Sequence, residues 1–143
     1  MTEIKAVIGK YAEKYARFER DGGSVFQETW PRRHYQVIVC TFVLGVLPTK
    51  RARLDLLKKV AARLSAGGIV FLSVRGFGDV KTKARQGRKW RDGYITPVGT
   101  FIKPFRRTEL TGFARGAGLV PHPNVGKWRS NSGIIDLVLV RQP

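Results

Sequence analysis

Acidic residues are scarce in this chain. Ten aspartates and glutamates stand against 27 lysines and arginines in 143 residues, a formal net charge of +17 and a sequence pI near 11.0. A field of that sign draws anions, whether nucleic acid, an acidic protein surface or anionic lipid. A basic surface kept only for solubility is disfavoured, because so large a charge repels itself in the compact state. Cysteine is almost missing as well. The single residue Cys40 excludes an internal disulfide and any zinc site built from several thiolates. It lies in an apolar run and is expected to be a small core residue. No stretch reaches the roughly 18 consecutive apolar residues of a membrane span, and the amino terminus, MTEIKAVIGKYAEK, lacks a signal peptide's apolar core. The expected location is cytoplasmic, with no membrane partner. His34 and His122 are isolated from each other and from carboxylates at ligand spacing, so no metal is expected.

What the chain does contain is clearest between Tyr35 and Gly76, which has the pattern strand, helix, strand. Val37, Ile38 and Val39 open a continuous β-branched run of the kind buried on both faces of a sheet, and Pro48 closes the loop after it. Thr49 is placed to cap a helix from Arg51, in which Leu54, Leu57, Val60 and Leu64 recur at three- and four-residue spacing, beside a basic face of Lys50, Arg51, Arg53, Lys58 and Lys59. Gly67-Gly68 is expected to end that helix, and Ile69 to Val74 to form a second buried strand parallel to the first.

The flanks are less regular. Residues 1–22 predict an N-terminal amphipathic helix with Ile4, Val7, Ile8, Tyr11, Tyr15 and Phe18 on one face, and residues 24–30 a short strand. Residues 76–107 form a basic, glycine-punctuated loop insertion. It carries Lys81, Lys83, Arg85, Arg88, Lys89, Arg91, Lys103, Arg106 and Arg107, interleaved with aromatics such as Trp90. Cations alternating with aromatics suit a flexible nucleic acid, through phosphate contacts and base stacking; aromatics that pin a long loop to the body would give the same pattern. Thr108 is a candidate N-cap for a short helix stopped by Gly116 and Gly118. Ile134 to Val140 is a strong strand placed inside the sheet, joined to its neighbour as an antiparallel hairpin. The whole, residues 1–143, is expected to be one domain.

These segments resemble the carboxy-terminal half of a class I, Rossmann-like S-adenosylmethionine-dependent methyltransferase, over Phe26 to Val140. The resemblance rests on the run from Tyr35-Gln36-Val37-Ile38, the Leu64-Ser65-Ala66-Gly67-Gly68 entry into the next strand, and the closing helix and strand. Asp92-Gly93-Tyr94-Ile95-Thr96 with Gly99-Thr100-Phe101 is similar to a subgroup of bacterial and phage methyltransferase-like proteins. The resemblance implies an α/β fold: a truncated methyltransferase sheet, mixed through a C-terminal antiparallel hairpin, with helices on both faces. It implies Gln27, Glu28, Thr41 and Phe42 as the residues nearest a cofactor. The family's glycine-rich turn and following acidic residue have no counterpart here, and its usual aspartate on the first strand is Gln36. No cofactor is therefore expected, with S-adenosylmethionine admitted only if the pocket is completed in trans. The flank of the first strand is left uncovered, which predicts a homodimer through that sheet edge.

Three functions stay open on the sequence. One is a methyltransferase-like binding protein without activity that holds DNA or RNA on its basic surface. Another is a methyltransferase completed by dimerisation or a partner chain. The last is a small phage-type effector that binds an acidic host protein. No catalytic group is assigned. Asp79, Asp92, Glu109 and Asp136 are read as a loop charge, a turn former, a helix-start charge and a partner for a basic neighbour, and Ser73 ends a strand with no evident base beside it.

Overall fold

The computed structural model describes residues 34–78, 80, 86–97, 99–125, 127–130 and 133–143, the backbone alone for 127–130, all within the compact unit His34–Pro143. The expected helix over 1–22, the strand over 24–30, and Gln27, Glu28, Asp79, Lys81, Lys83 and Arg85 lie outside the described residues.

Strand β1 (Tyr35–Thr41), a 3-10 turn (Leu44–Val46), helix α1 (Lys50–Arg63) and strand β2 (Leu64–Arg75) form the expected unit, with β1 parallel to β2. Thr49 caps α1, its hydroxyl accepting from the Ala52 N–H at 3.1 Å. The end of α1 differs from expectation. The helix stops at Arg63, and β2 begins at Leu64, ahead of the glycines, through an irregularity in which Tyr35 pairs with Leu64 but Val37 with Ile69. Gly67 (φ +74) and Gly68 sit in that irregularity instead of ending the helix; a Cβ on Gly68 would lie 2.9 Å from the Gln36 carbonyl. The helix's last carbonyls are met from across the sheet, where the Arg141 guanidinium donates to the oxygens of Ala61 (2.7 Å) and Leu64.

Beyond the second strand come helix α2 (Arg107–Gly116), strands β6 (Leu119–Pro121), β7 (Lys127–Ser130) and β8 (Ile134–Arg141). The main sheet runs β1-β2-β8-β6, with β7 also on β8, so β8 occupies the interior position that its apolar sequence implies. Thr108 is not the cap of α2: Arg106 holds the N-cap position without a side-chain hydrogen bond, and Thr108 lies inside the first turn. Gly118, at φ +84, turns the chain into β6.

One face of the sheet is dry. Ile38, Cys40, Val70, Leu72, Val74, Ile135, Leu137 and Leu139 alternate inward and are buried, as are Leu57 and Val60 of α1 and Leu110 and Ala114 of α2, two helices that pack on each other. Burial pushes the Cys40 thiol up to about 12, which leaves it inert, as its apolar run implied. The other face of β1 departs from the expected two-sided burial, since Val37 and Val39 are 54% and 63% exposed. No described element covers them, and β1 ends the sheet order among the described residues.

The stretch 76–107 is not one long loop. It contains a second antiparallel sheet of β3 (Arg88–Trp90), β4 (Gly93–Ile95) and β5 (Phe101–Ile102). Trp90 pairs with Gly93, so Arg91 and Asp92 form a two-residue hairpin loop, with Arg91 at φ 53 in the left-handed region. Strands of three, three and two residues are too short to carry a legible alternation.

A cation and aromatic rim at the carboxyl edge of the sheet

Ligands of open α/β sheets gather outside the carboxyl ends of the parallel strands. Here those ends are Thr41, followed by Phe42 at φ 58, and Arg75, followed by Gly76 and Phe77. Phe42 is fixed by its N–H to the Ser73 carbonyl at 2.9 Å. The second sheet is mounted against this edge through backbone bonds, from the Lys103 N–H to the Gly45 carbonyl (2.8 Å) and from the Phe105 N–H to the Arg75 carbonyl (3.0 Å).

Three arginine–aromatic stacks punctuate the rim. The Arg75 guanidinium lies 5.0 Å from the Phe42 ring centroid, Arg106 lies 5.0 Å from Phe77, and Arg91 lies 4.5 Å from Trp90. Phe77 and Trp90 are 43% and 36% exposed. Phe42, Arg75, Phe77 and Arg106 converge from the ends of β1 and β2 and the start of α2; Trp90 and Arg91 come from the hairpin of the second sheet. At Arg91 and Arg106 a guanidinium stacked on a ring keeps its N–H edge for an anion, while the ring's far face stays available for stacking.

The expected nucleic-acid-binding set divides. Arg88, Lys89, Trp90, Arg91 and Arg106 are exposed, and Arg107 is half-buried. Lys103 is corrected: it is 4% exposed, and its ammonium donates to Glu109 (3.0 Å) and to the Pro104 carbonyl (2.9 Å), which consumes it internally. Arg53 is corrected too. Instead of joining the basic face of α1, it is fully buried and donates bidentately to Asp92 at 2.5 and 2.8 Å and from Nε to the Leu47 carbonyl at 3.0 Å. Phe101 and Phe105 each hold a ring centroid 5.9 Å from its guanidinium. Its position carried a signal. Arg53, Leu57, Val60 and Leu64 are spaced four, three and four, so an arginine stands on the apolar stripe, where only a buried partner makes it tolerable.

The Arg53 hydrogen bond holds the Asp92 carboxyl below its ordinary value of 3.8, against the opposing effect of partial burial. A depressed carboxylate contributes stability that is present above the unfolded-state value and lost as pH falls through the folded-state one. Asp92→Asn should therefore flatten the fall in unfolding midpoint below about pH 4, measured by circular dichroism melts across an acid series. A variant whose acid limb keeps the parent slope would remove Asp92 from the acid response.

A family model described as a methyltransferase domain matches residues 3–123. Among solved structures, an S-adenosylmethionine-dependent methyltransferase from Clostridium acetobutylicum superposes with a TM-score of 0.64 at 10% identity, over 92% of this chain and 71% of its own. The CcbJ methyltransferase from Streptomyces caelestis gives 0.61 at 14% identity, over 95% and 71%. The DhpI–SAH complex gives 0.59 at 19%, over 90% and 59%. No curated protein matches the sequence. At these identities the likeness establishes the fold, and it overturns the expectation that no cofactor belongs with this chain. That expectation rested on a missing glycine-rich turn, yet the similar structures include an S-adenosylmethionine-dependent enzyme and a complex with SAH.

Proposed function

The chain belongs to the methyltransferase-domain family, and on that premise we propose that it acts in S-adenosylmethionine-dependent methyl transfer to a nucleic acid held by the cation and aromatic rim. The observation that carries this reading is the grouping of three arginine–aromatic stacks, two with exposed rings, on a +17 chain at the sheet edge where such folds gather ligands. Arg88, Lys89, Arg91 and Arg106, all exposed, neutralise phosphates; Phe77 and Trp90 take bases on their faces.

The residues at the end of β1 fit an adenosyl ligand. Thr41 brings an exposed hydroxyl, and the half-buried Phe42 ring forms a flat wall in a backbone conformation that turns the chain sharply at the strand end. Thr41 and Phe42 would line that cofactor, which when bound supplies an electrophilic methyl group; the chain's own part is to orient the acceptor and exclude water around it.

Fluorescence anisotropy with a labelled single-stranded oligonucleotide across a salt series tests the reading. With four phosphates neutralised, log K should fall with a slope of about −2.8, so that a fourfold rise in salt costs about 50-fold in affinity. Phe77→Ala and Trp90→Ala should each weaken binding by roughly 5-fold or more. Transfer of label from S-adenosylmethionine to the bound oligonucleotide completes the test. Binding that ignores salt, or no binding, would dispose of the nucleic-acid acceptor.

A further inference from the structure

A row of polar side chains crosses the main sheet just below the rim. Thr41 of β1 pairs in register with Ser73 of β2, and Ser73 with Asp136 of β8, so the three stand side by side on one face. It is the face opposite α1 and α2, since the neighbouring residues Cys40, Leu72 and Leu137 point into the helix-covered core. One pleat lower, Val39, Phe71 and Val138 form an apolar row in the same register. Ser73 Oγ donates to Asp136 Oδ1 at 2.6 Å. Thr41 is exposed, and Ser73 and Asp136 are half-buried.

The charge environment makes Asp136 unusual. Asp55 pairs with Arg51, Asp92 with Arg53 and Glu109 with Lys103. Asp136 is the fourth carboxylate among the described residues, and its partner is a hydroxyl. Among the described residues no donor reaches its second oxygen, Oδ2, so in a chain with 27 lysines and arginines this half-buried carboxylate has an acceptor to offer a group outside the fold.

We propose that Ser73 and Asp136, beside the cofactor-lining Thr41, form the recognition site for the acceptor base, with Asp136 accepting an N–H from an exocyclic amine. The inference rests on the nucleic-acid reading above. The carboxylate repels phosphate, which the rim takes instead, and selects a neutral donor. Cytosine, adenine and guanine carry an exocyclic amine; thymine does not. The exposed side chain of Val39 lies beside the site as an apolar contact for a flat ring. Ser73 is a positioning residue that fixes the carboxylate's orientation.

The test compares short oligo-dC and oligo-dT of equal length by anisotropy at one salt concentration, on the full chain; deoxy strands leave out the 2′-hydroxyl as a competing donor. The wild type should prefer oligo-dC by about 10-fold, the discrimination of one good base contact. Asp136→Asn leaves the Ser73 hydroxyl on the amide oxygen and turns an N–H outward, donor facing donor, so the preference should vanish with the salt slope unchanged. Ser73→Ala, which keeps the carboxylate, should reduce the preference by about threefold, and it serves as the deciding variant should Asp136→Asn lose its fold by circular dichroism. Equal binding of the two strands by the wild type, or a preference that survives undiminished in either folded variant, overturns the site while leaving the rim intact. Salt-independent binding, or none, overturns both.

Discussion

Asp92→Ala is expected to destabilise the protein by about 3–5 kcal/mol, because it leaves the Arg53 guanidinium buried without its counter-charge. Arg53 is 0% exposed, and its remaining contacts are one carbonyl and two ring faces, too few to hold a desolvated cation. The loss should concentrate where the pair acts. Asp92 sits in the β3–β4 hairpin and Arg53 on α1, so the second sheet should detach from the helix before the main sheet unfolds. Urea denaturation gives the total, and hydrogen exchange shows whether the Trp90–Gly93 and Tyr94–Ile102 pairs lose protection first. Breaking the pair and replacing it differ in kind. Arg53→Met combined with Asp92→Leu should recover most of the loss, since an apolar contact of similar size avoids the desolvation that the ion pair must overcome. A single Asp92→Ala variant within about 1 kcal/mol of the parent would mean that water already reaches Arg53.

One substitution should act with opposite signs at two glycines. Gly93→Ala places a Cβ 2.5 Å from the Ile102 carbonyl oxygen and 2.6 Å from the Phe101 ring, so β4 and β5 must part. The expected cost is about 1–3 kcal/mol or more, because the obstacle is partly backbone and cannot swing away. Gly112 lies in α2 with nothing within 4 Å of the added carbon, and Gly112→Ala should stabilise by about 0.5–1 kcal/mol through the chain entropy that glycine forfeits in a helix. Thermal melts of the two variants side by side decide the matter. Equal shifts of the same sign would show that local packing does not govern the hairpin.

The parts of the fold that are legible in the sequence are those where one periodicity runs long enough to dominate. Helix α1 repeats its apolar residues over four turns, β2 and β8 are long apolar runs, and Thr49 stands where a cap must. The misreadings share a cause, which is that they depend on a partner that the local periodicity does not place beside the residue. Arg53 looks like one more surface cation until a residue 39 positions on supplies its carboxylate. Lys103 looks equally free until Glu109 turns back on it from α2. Ser73 reads as a strand end with no base beside it, because Asp136 is 63 residues away and arrives only through the antiparallel pairing of β2 with β8. The two-sided burial expected for β1 failed for a related reason. A β-branched run shows that a strand is apolar, while which of its faces is covered is decided by the other elements. The cofactor expectation went wrong differently, by giving one short motif more weight than the fold that the rest of the chain builds.

The bare valines of β1 have a bearing on how the protein behaves at high concentration. Val37 and Val39 present an apolar strip on a molecule whose copies all carry the same large charge. In dilute salt, mutual repulsion keeps the strips of two molecules apart; within a Debye length shortened by added salt, that protection shrinks while the apolar attraction remains. The ionic strength that strips bound polyanion from the rim is therefore the one at which the valines of two copies are freest to meet, and colloidal stability and purity pull in opposite directions.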